Sequence, residues 1–164
     1  MSTTVRVVDI IEATTVDGPG FRTSIYFAGC GHKCPGCHNP STWDFSAGRD
    51  MTFKEIMEVV RRNGFNVTFS GGDPVYQAEK LIPLAEIIKK MGLTIWCYTG
   101  FTFEALLSDS SASHLLSLID VLVDGPFISS LKDTDLLFRG SSNQRLIDTS
   151  RSTRERIELW QPEF

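Results

Sequence analysis

Three cysteines stand close together early in the chain. Cys30, Cys34 and Cys37 lie within eight residues, and the fourth cysteine, Cys97, is sixty positions downstream. Iron–sulfur cubanes normally take four protein thiolates. Three local thiolates therefore predict a [4Fe–4S] cluster in which one iron has no protein ligand, and such an iron is a place where a substrate can bind.

The same triplet could instead hold a structural zinc ion, which would need a fourth ligand from His32, His38 or Cys97. His38 adjoins a cysteine of the triplet, and adjacent residues rarely reach one metal. Cys97 lies in an apolar strand, where a free cysteine is usually an inert small hydrophobe. A strand leads into the loop and glycines let it close around a bulky group, so the pattern favours the iron–sulfur cluster.

The segments around the triplet alternate between strand and helix patterns. Strands are predicted over 5–12, 21–29, 66–69, 93–98 and 120–123, and helices over 52–64, through 81–88, and as one or two short helices within 103–118. The helix over 52–64 has the clearest signals, because Thr52 and Glu55 form a capping box and Gly64 can end it. From residue 129 onward the sequence predicts loop.

The βαβαβαβ alternation predicts an α/β fold with a largely parallel sheet and right-handed crossovers. A complete eight-unit barrel needs about 250 residues, so a chain of 164 residues can form a partial, open (β/α) barrel. The length and the 41% share of hydrophobic residues suit one core. We therefore expect residues 1–164 to be a single domain.

Several glycine-containing segments should fall just past the carboxyl ends of the strands, where parallel sheets bind their ligands. These are Cys30, Gly71-Gly72, Thr99-Gly100 and Asp124-Gly125. Two adjacent glycines expose backbone N–H and C=O groups to close approach. A zwitterionic amino-acid head group could use both polarities, so the pair is a candidate binding element beside the cysteines.

Composition narrows the class of protein. The net charge is −4 and the basic residues are scattered, which argues against a nucleic-acid partner. The N-terminus has no basic-plus-apolar leader, and no apolar run approaches the ~18 residues of a membrane span. Cysteine spacings of four and three suit metal ligation in a reducing compartment better than disulfides. We expect a cytoplasmic protein without a membrane partner.

The Cys-x3-Cys-x2-Cys triplet with the glycine pair resembles the signature of the radical S-adenosylmethionine superfamily. Further motifs between positions 17 and 145 resemble, more narrowly, the activating enzymes of anaerobic (class III) ribonucleotide reductase. They are Asp17-Gly18-Pro19-Gly20-x-Arg22, Gly36-Cys37-His38-Asn39-Pro40, Ser70-Gly71-Gly72-Asp73-Pro74, Tyr98-Thr99-Gly100, Val123-Asp124-Gly125 and Arg139-Gly140-Ser141-Ser142-Asn143-Gln144-Arg145.

This resemblance implies a [4Fe–4S] cluster on Cys30, Cys34 and Cys37, with S-adenosylmethionine bound to the open iron through its amino and carboxylate groups. It implies two further sets of cofactor contacts: Gly36, Cys37 and His38 on one side, and Gly71, Gly72 and Asp73 at the methionyl end. No side chain is nominated as a catalytic acid or base, because the cofactors carry the chemistry.

The resemblance also implies two protein partners. A flavodoxin-type donor would reduce the cluster, and cleavage of S-adenosylmethionine would give a 5′-deoxyadenosyl radical. That radical would take a hydrogen atom from a glycine near the C-terminus of the large reductase subunit. The glycine loop would have to enter the open edge of the sheet.

Three alternatives remain open from the sequence. The chain could activate another glycyl-radical enzyme of the pyruvate formate-lyase type, or act as a small radical enzyme such as a deazapurine synthase. The block from Gly140 to Arg145 and the short length argue against both. A zinc-binding interaction module is the third alternative, and metal content separates it from the other two.

Overall fold

The computed structural model describes residues 3–37 and 40–162. Its strands are β1 (Thr4–Thr14), β2 (Arg22–Phe27), β3 (Arg49–Thr52), β4 (Asn66–Gly71), β5 (Ile95–Tyr98), β6 (Val121–Asp124) and β7 (Arg145–Asp148). Its α-helices are α1 (Phe53–Asn63), α2 (Ala78–Lys90), α3 (Phe103–Leu107) and α4 (Ser110–Leu116). No helix in the described parts of the chain is long and apolar enough to cross a membrane.

The strands form one open sheet in the order β3-β1-β2-β4-β5-β6-β7. The four central strands β2, β4, β5 and β6 are parallel, whereas β1, β3 and β7 pair antiparallel with their neighbours. The predicted α/β class with a mostly parallel sheet is therefore confirmed at the centre of the sheet. The two edges are antiparallel and leave the sheet open.

Helix α1 shows why the local signals for it were reliable. The Thr52 hydroxyl accepts a hydrogen bond from the Glu55 N–H at 3.1 Å, and the Glu55 carboxylate accepts one from the Thr52 N–H at 3.1 Å. At the other end Gly64 adopts the left-handed conformation, with φ of 67°. The predicted capping box and stop are both confirmed, because each depends on residues adjacent in sequence.

Two strands were missed by the sequence analysis. Residues 145–148 were predicted as loop, but they form β7, and β3 was not predicted at all. Both strands are four residues long, and both are held by pairing with distant segments: β7 with β6, and β3 with β1. The strands β5 and β6 are equally short but almost wholly buried, whereas β3 and β7 lie at the edges of the sheet with one buried residue each. The two edge strands therefore lack the apolar run by which a short strand is recognised, and their pairing partners decide them.

The two faces of the sheet are covered differently. One face packs against the helices, with Phe27, Phe69 and Leu122 among its fully buried side chains. The opposite face carries a smaller cluster of Trp96, Val121 and Val123. Phe138, from the chain between β6 and β7, and Trp160, from the C-terminal segment, pack on that second cluster.

Candidate active site

A cavity of about 790 Å³ opens at the carboxyl ends of the four parallel strands. This volume lies within the range of ordinary ligand and cofactor sites. Its lining from the strand ends comprises Cys30, His32, Cys34 and Cys37 after β2, Ser70, Gly71 and Gly72 at β4, Tyr98, Thr99 and Gly100 at β5, and Gly125 and Phe127 after β6. The strand-end segments predicted from sequence thus meet around one cavity.

The cysteine loop begins directly after the buried strand β2. Two backbone hydrogen bonds fix its first residues: Gly29 N–H donates to Thr42 at 2.8 Å, and Cys30 N–H donates to Trp43 at 3.1 Å. A turn closes its far end, where Cys37 N–H donates to the Cys34 carbonyl at 3.1 Å. The loop is therefore held at both ends while its thiols lie along the cavity wall.

The three thiols of Cys30, Cys34 and Cys37 share that wall. All four cysteines of the chain are thiols rather than disulfides. Within residues 3–37 and 40–162, no three His, Cys, Asp or Glu side chains are gathered closely enough to hold one metal ion. Burial raises the pKa of the Cys30 thiol, and backbone hydrogen bonds from His32 and Lys33 partly offset that rise.

Cys97 has a different environment from the triplet. It lies in β5, is 1% exposed and belongs to the main hydrophobic core rather than to the cavity lining. Complete burial raises the pKa of its thiol well above the ordinary value. This placement agrees with the inert role predicted for it.

The glycine pair lies at the carboxyl end of β4, against the chain that leads into the cysteine loop. A Cβ on Gly71, which has φ of 108°, would come within 2.3 Å of the Phe27 nitrogen. A Cβ on Gly72 would come within 2.6 Å of the Gly29 carbonyl oxygen. The Gly72 N–H already donates to the Phe27 carbonyl at 2.9 Å. Besides lining the cavity, the pair allows β4 to pack closely on the chain that leads into the cysteine loop.

Asp73 follows the glycine pair but does not line the cavity. Its carboxylate is 1% exposed and accepts a hydrogen bond from the Val75 N–H, at 3.0 Å, and three more from His32, Thr99 and Gly100. The direct contact with S-adenosylmethionine that the sequence predicts for Asp73 stays a prediction. In the structure, donors of the protein itself occupy this carboxylate and would compete with such a contact.

The Asp17 loop forms another wall of the cavity. The Tyr26 hydroxyl donates to Asp17 Oδ2 at 2.6 Å, and the Thr68 hydroxyl donates to the Asp17 carbonyl at 2.7 Å. Arg22, which is 1% exposed, donates from Nε to the same Thr68 oxygen at 2.8 Å. Burial lowers the pKa of Arg22 to about 10, so it remains a cation at neutral pH. The Asp17 motif is therefore more than a turn, because it is anchored to β4.

The loop between β6 and β7 forms a further wall of the cavity, which the sequence analysis did not predict. Thr134, Asp135, Leu136, Leu137, Phe138, Arg139 and Gly140 all line the cavity. The Asn143 amide donates to the Pro126 carbonyl at 2.8 Å, and the Gln144 amide donates to the Gly125 carbonyl at 3.1 Å. These bonds fold the loop back onto the end of β6, so the Arg139–Arg145 motif has an architectural role.

The donor set around the cavity fits a thiolate-bound cluster with a polar organic cofactor. Three thiols supply the ligand type that iron–sulfur clusters require. On the loop after β6, Arg139 brings a cation to the cavity wall, and its buried Nε has no acceptor among the described residues. Gly36 lies beside Phe127 and Ser129 rather than in the cavity lining, and His38 lies outside the described residues.

Comparison with known proteins defines the class to which this fold and site belong. Residues 16–147 match the family described as a 4Fe-4S single cluster domain. The chain belongs to this iron–sulfur family, in the branch of the anaerobic ribonucleoside-triphosphate reductase-activating proteins. The resemblance drawn from the motifs is thereby confirmed, and the zinc module is set aside because the family is an iron–sulfur one.

Named relatives support that placement. The anaerobic ribonucleoside-triphosphate reductase-activating protein of Escherichia coli strain K12 is 36% identical over 141 residues, covering 79% of this chain and 89% of that protein. The protein of the same name from Vibrio cholerae is 39% identical over 142 residues, covering 79% and 88%. The one from Enterobacteria phage T4 is 36% identical over 139 residues, covering 80% and 86%.

The fold is also similar to a solved structure. The crystal structure of QueE from Escherichia coli aligns with a TM-score of 0.50 at 20% identity, over 60% of this chain and 53% of that one. The match thus spans about half of that protein's length. At this identity the likeness concerns the fold alone, and it agrees with the α/β architecture.

Proposed function

We propose that this protein activates an anaerobic ribonucleoside-triphosphate reductase by generating a glycyl radical on it, with a [4Fe–4S] cluster and S-adenosylmethionine. One observation carries the proposal: the three thiols of an iron–sulfur family member line a single cavity at the carboxyl edge of the parallel strands. Relatives at 36–39% identity bear the name of that activating protein, which supports the choice of partner.

The proposed site assigns a role to each wall of the cavity. Cys30, Cys34 and Cys37 hold the cluster, and Gly71 and Gly72 flank the methionyl end of S-adenosylmethionine. The resemblance implies that Gly36, Cys37 and His38 would contact it from the cysteine loop, and of these Cys37 lines the cavity. Residues 1–164 act as one radical S-adenosylmethionine domain, and the open sheet corresponds to a partial (β/α) barrel.

The bound cofactors supply reductive cleavage of a sulfonium and abstraction of a hydrogen atom from a glycine. The chain's own residues position these groups and shield them. The loop that carries Leu136, Leu137 and Phe138 lines the cavity with apolar surface. Asp17 also lines the cavity, and its carboxylate accepts a hydrogen bond from the Tyr26 hydroxyl.

The proposal extends to the electron donor and the compartment. A flavodoxin-type protein would deliver the electron, because the cysteine loop lies close to the surface, with Cys34 and Cys37 partly exposed. Four reduced thiols suit a reducing compartment such as the cytoplasm.

A cysteine comparison tests the proposal. Cys34→Ala removes one cluster ligand, whereas Cys97→Ala changes a cysteine that lies in the core and does not line the cavity. After anaerobic reconstitution with iron and sulfide, we expect about four irons per chain in the unchanged protein and in Cys97→Ala. With a reductant, S-adenosylmethionine and the reductase, both should give 5′-deoxyadenosine and a glycyl radical signal in electron paramagnetic resonance.

Cys34→Ala should lose at least about 100-fold in the rate of cofactor cleavage, because the cluster lacks a ligand. Full cleavage by Cys34→Ala would refute the proposed site. Supplying a glycyl-radical enzyme of the pyruvate formate-lyase type in place of the reductase tests the rival activase function. A radical on that enzyme, and none on the reductase, would assign the protein to the rival function.

A further inference from the structure

The carboxylate of Asp73 is the most heavily used acceptor beside the cavity. Its Oδ2 atom accepts from His32 Nε2 at 2.8 Å, from the Thr99 hydroxyl at 2.9 Å and from the Gly100 N–H at 2.9 Å. Its Oδ1 atom accepts from the Val75 N–H at 3.0 Å. Four donors on two buried oxygens satisfy the charge within the protein, and leave little acceptor capacity for an outside ammonium group.

His32 is the member of this group that comes from the cysteine loop, between Cys30 and Cys34. Its ring packs edge-on against Phe101, with the ring centroids 4.4 Å apart. It also lies over Gly100, where an added Cβ would come within 2.6 Å of the ring. The histidine therefore occupies a shaped recess at the end of β5, and its side chain is only 17% exposed.

This contact joins two parts of the site that the sequence keeps far apart. His32 and Asp73 are 41 positions apart, and Asp73 and Gly100 are 27 positions apart. The cysteine loop itself contains Gly31 and Gly36, which leave its backbone conformationally free. A hydrogen bond to a buried carboxylate is among the strong ones, so it can fix the segment between the first two thiols.

We propose that His32 and Asp73 are positioning residues that lock the cysteine loop onto the ends of β4 and β5, and that Asp73 acts through His32 rather than by direct contact with S-adenosylmethionine. The inference rests on the proposed function, since the loop is taken to hold the cluster. Groups that orient metal ligands typically change metal affinity 10- to 100-fold when removed. The same scale is expected for retention of the cluster here.

A double-mutant cycle tests this role through iron retention rather than turnover. The variants are His32→Ala, Asp73→Asn and the two combined, with His114→Ala as the matched control, because His114 is an exposed histidine in α4. Each reconstituted protein is mixed anaerobically with an iron chelator, and the rate of cluster loss is followed by absorbance. Affinity for S-adenosylmethionine is measured separately on the cluster-loaded protein by equilibrium dialysis.

Each single variant should lose its cluster about 10-fold faster than the unchanged protein. The double variant should be no worse than the worse single one, because His32→Ala removes the same hydrogen bond that Asp73→Asn weakens by removing the charge of its acceptor. His114→Ala should match the unchanged protein, and affinity for S-adenosylmethionine should change less than threefold in all of them. If Asp73→Asn weakened S-adenosylmethionine binding more than 10-fold while His32→Ala did not, direct contact would be correct and the inference wrong.

Gly100→Ala provides an independent test of the same contact, because its new Cβ would displace the His32 ring. It should accelerate cluster loss in the unchanged background and have little further effect in the His32→Ala background. Equal acceleration in both backgrounds would overturn the inference. If His32→Ala failed to fold, His32→Asn would replace it. Cluster retention close to that of the unchanged protein would then show that the side-chain N–H of the asparagine can take over the hydrogen bond to Asp73. Cluster loss from His32→Asn as fast as from Asp73→Asn would count against the inference.

Failure of the proposed function would appear differently. An unchanged protein that holds no cluster, or holds one but puts no radical on the reductase, would refute that function. A loaded and active protein whose retention is insensitive to His32 and Asp73 would refute the positioning role alone.

Discussion

Gly72 occupies a position where a single methyl group would collide with the chain leading into the cysteine loop. The nearest atoms to a Cβ there are the carbonyl oxygens of Gly29, at 2.6 Å, and Thr42, at 2.8 Å. Both are backbone atoms, and Gly29 is already hydrogen-bonded to Thr42. They cannot move aside as a flexible side chain could, so the glycine is required by packing as well as by any ligand.

Gly72→Ala should therefore destabilise the protein by about 2 kcal/mol through overpacking and reduce its iron content after reconstitution. Gly92→Ala is the matched control, because a Cβ at Gly92 meets nothing within 4 Å and its cost arises from its φ of 81° alone. We expect the control to lose about 1 kcal/mol and to retain its iron. Denaturant unfolding and iron analysis measure both effects, and normal iron loading of Gly72→Ala would contradict this account.

Arg22 shows how a residue outside the cavity can shape its wall. Its guanidinium donates to Thr68, to the Val67 carbonyl at 2.8 Å and, at 3.4 Å, to the Pro19 carbonyl. It also lies over the Trp96 ring, 5.7 Å from the ring centroid. No carboxylate among the described residues forms an ion pair with it. Carbonyl, hydroxyl and aromatic groups therefore stabilise the buried charge of Arg22, and these contacts tie the Asp17 loop to the sheet.

At the scale of elements, helices follow three of the four parallel strands that lead to the cavity, whereas β6 is followed by the cavity-lining loop and β7. Helix α1 is the simplest case, because its capping box and its buried face of Ile56, Met57 and Val60 are all local in sequence. It lies away from the cavity, and none of its residues lines it. Its stability can therefore be changed without touching the site.

Thr52→Ala should cost about 1 kcal/mol of stability, because the Glu55 N–H loses its capping acceptor. Thr52→Ser retains a hydroxyl and should lose much less. The rate of S-adenosylmethionine cleavage at 25 °C should be unchanged in both variants, since α1 does not reach the cavity. Thermal unfolding separates the two substitutions, and equal loss of stability in both would argue against the capping role.

At the scale of the whole molecule, Arg145 joins the far edge of the sheet to its centre. Its guanidinium, from β7, contacts the Asp124 carboxylate at 2.6 and 3.0 Å and the Glu104 carboxylate at 2.8 and 3.1 Å. Asp124 is 1% exposed and also accepts from the Phe103 N–H at 2.9 Å. One cation thus ties together β6, β7 and α3.

This group of charges predicts that part of the protein's stability is lost in acid. The hydrogen bond from Arg145 lowers the pKa of Glu104 below its ordinary 4.5. The Glu104 carboxylate therefore binds a proton less readily in the folded state than in the unfolded state. The stability that this difference contributes is present above about pH 4.5, and it is lost as the pH falls through the lowered pKa of Glu104 in the folded protein. Glu104→Gln should lose less than about 1 kcal/mol at pH 7, because Glu104 is partly exposed.

The same variant should show a weaker fall in stability than the unchanged protein as the pH is lowered below about 4.5. Glu79→Gln serves as the control, since Glu79 is exposed in α2 and forms no ion pair in the described parts of the chain. Denaturant unfolding at a series of pH values measures the difference. If the stability of Glu104→Gln fell with decreasing pH as steeply as that of the unchanged protein, the pairing of Glu104 with Arg145 would not contribute to acid sensitivity.

The sequence by itself determined the chemistry and much of the scaffold. The spacing of Cys30, Cys34 and Cys37, the capping box of α1 and the strand-end glycines are short-range features, and short-range sterics and hydrogen bonding decide them wherever the chain folds. These features were enough to predict the iron–sulfur class, the parallel centre of the sheet and the edge on which the site lies.

The tertiary structure alone decided which groups surround that site. The loop over 134–140 became a cavity wall, β7 became a strand, and Asp73 was turned toward His32 instead of toward the cavity. Each of these outcomes depends on partners tens of residues away, such as β7 with β6 or His32 with Asp73. No local pattern encodes such a pairing, because it forms when the packed sheet brings the two segments together and excludes water from between them.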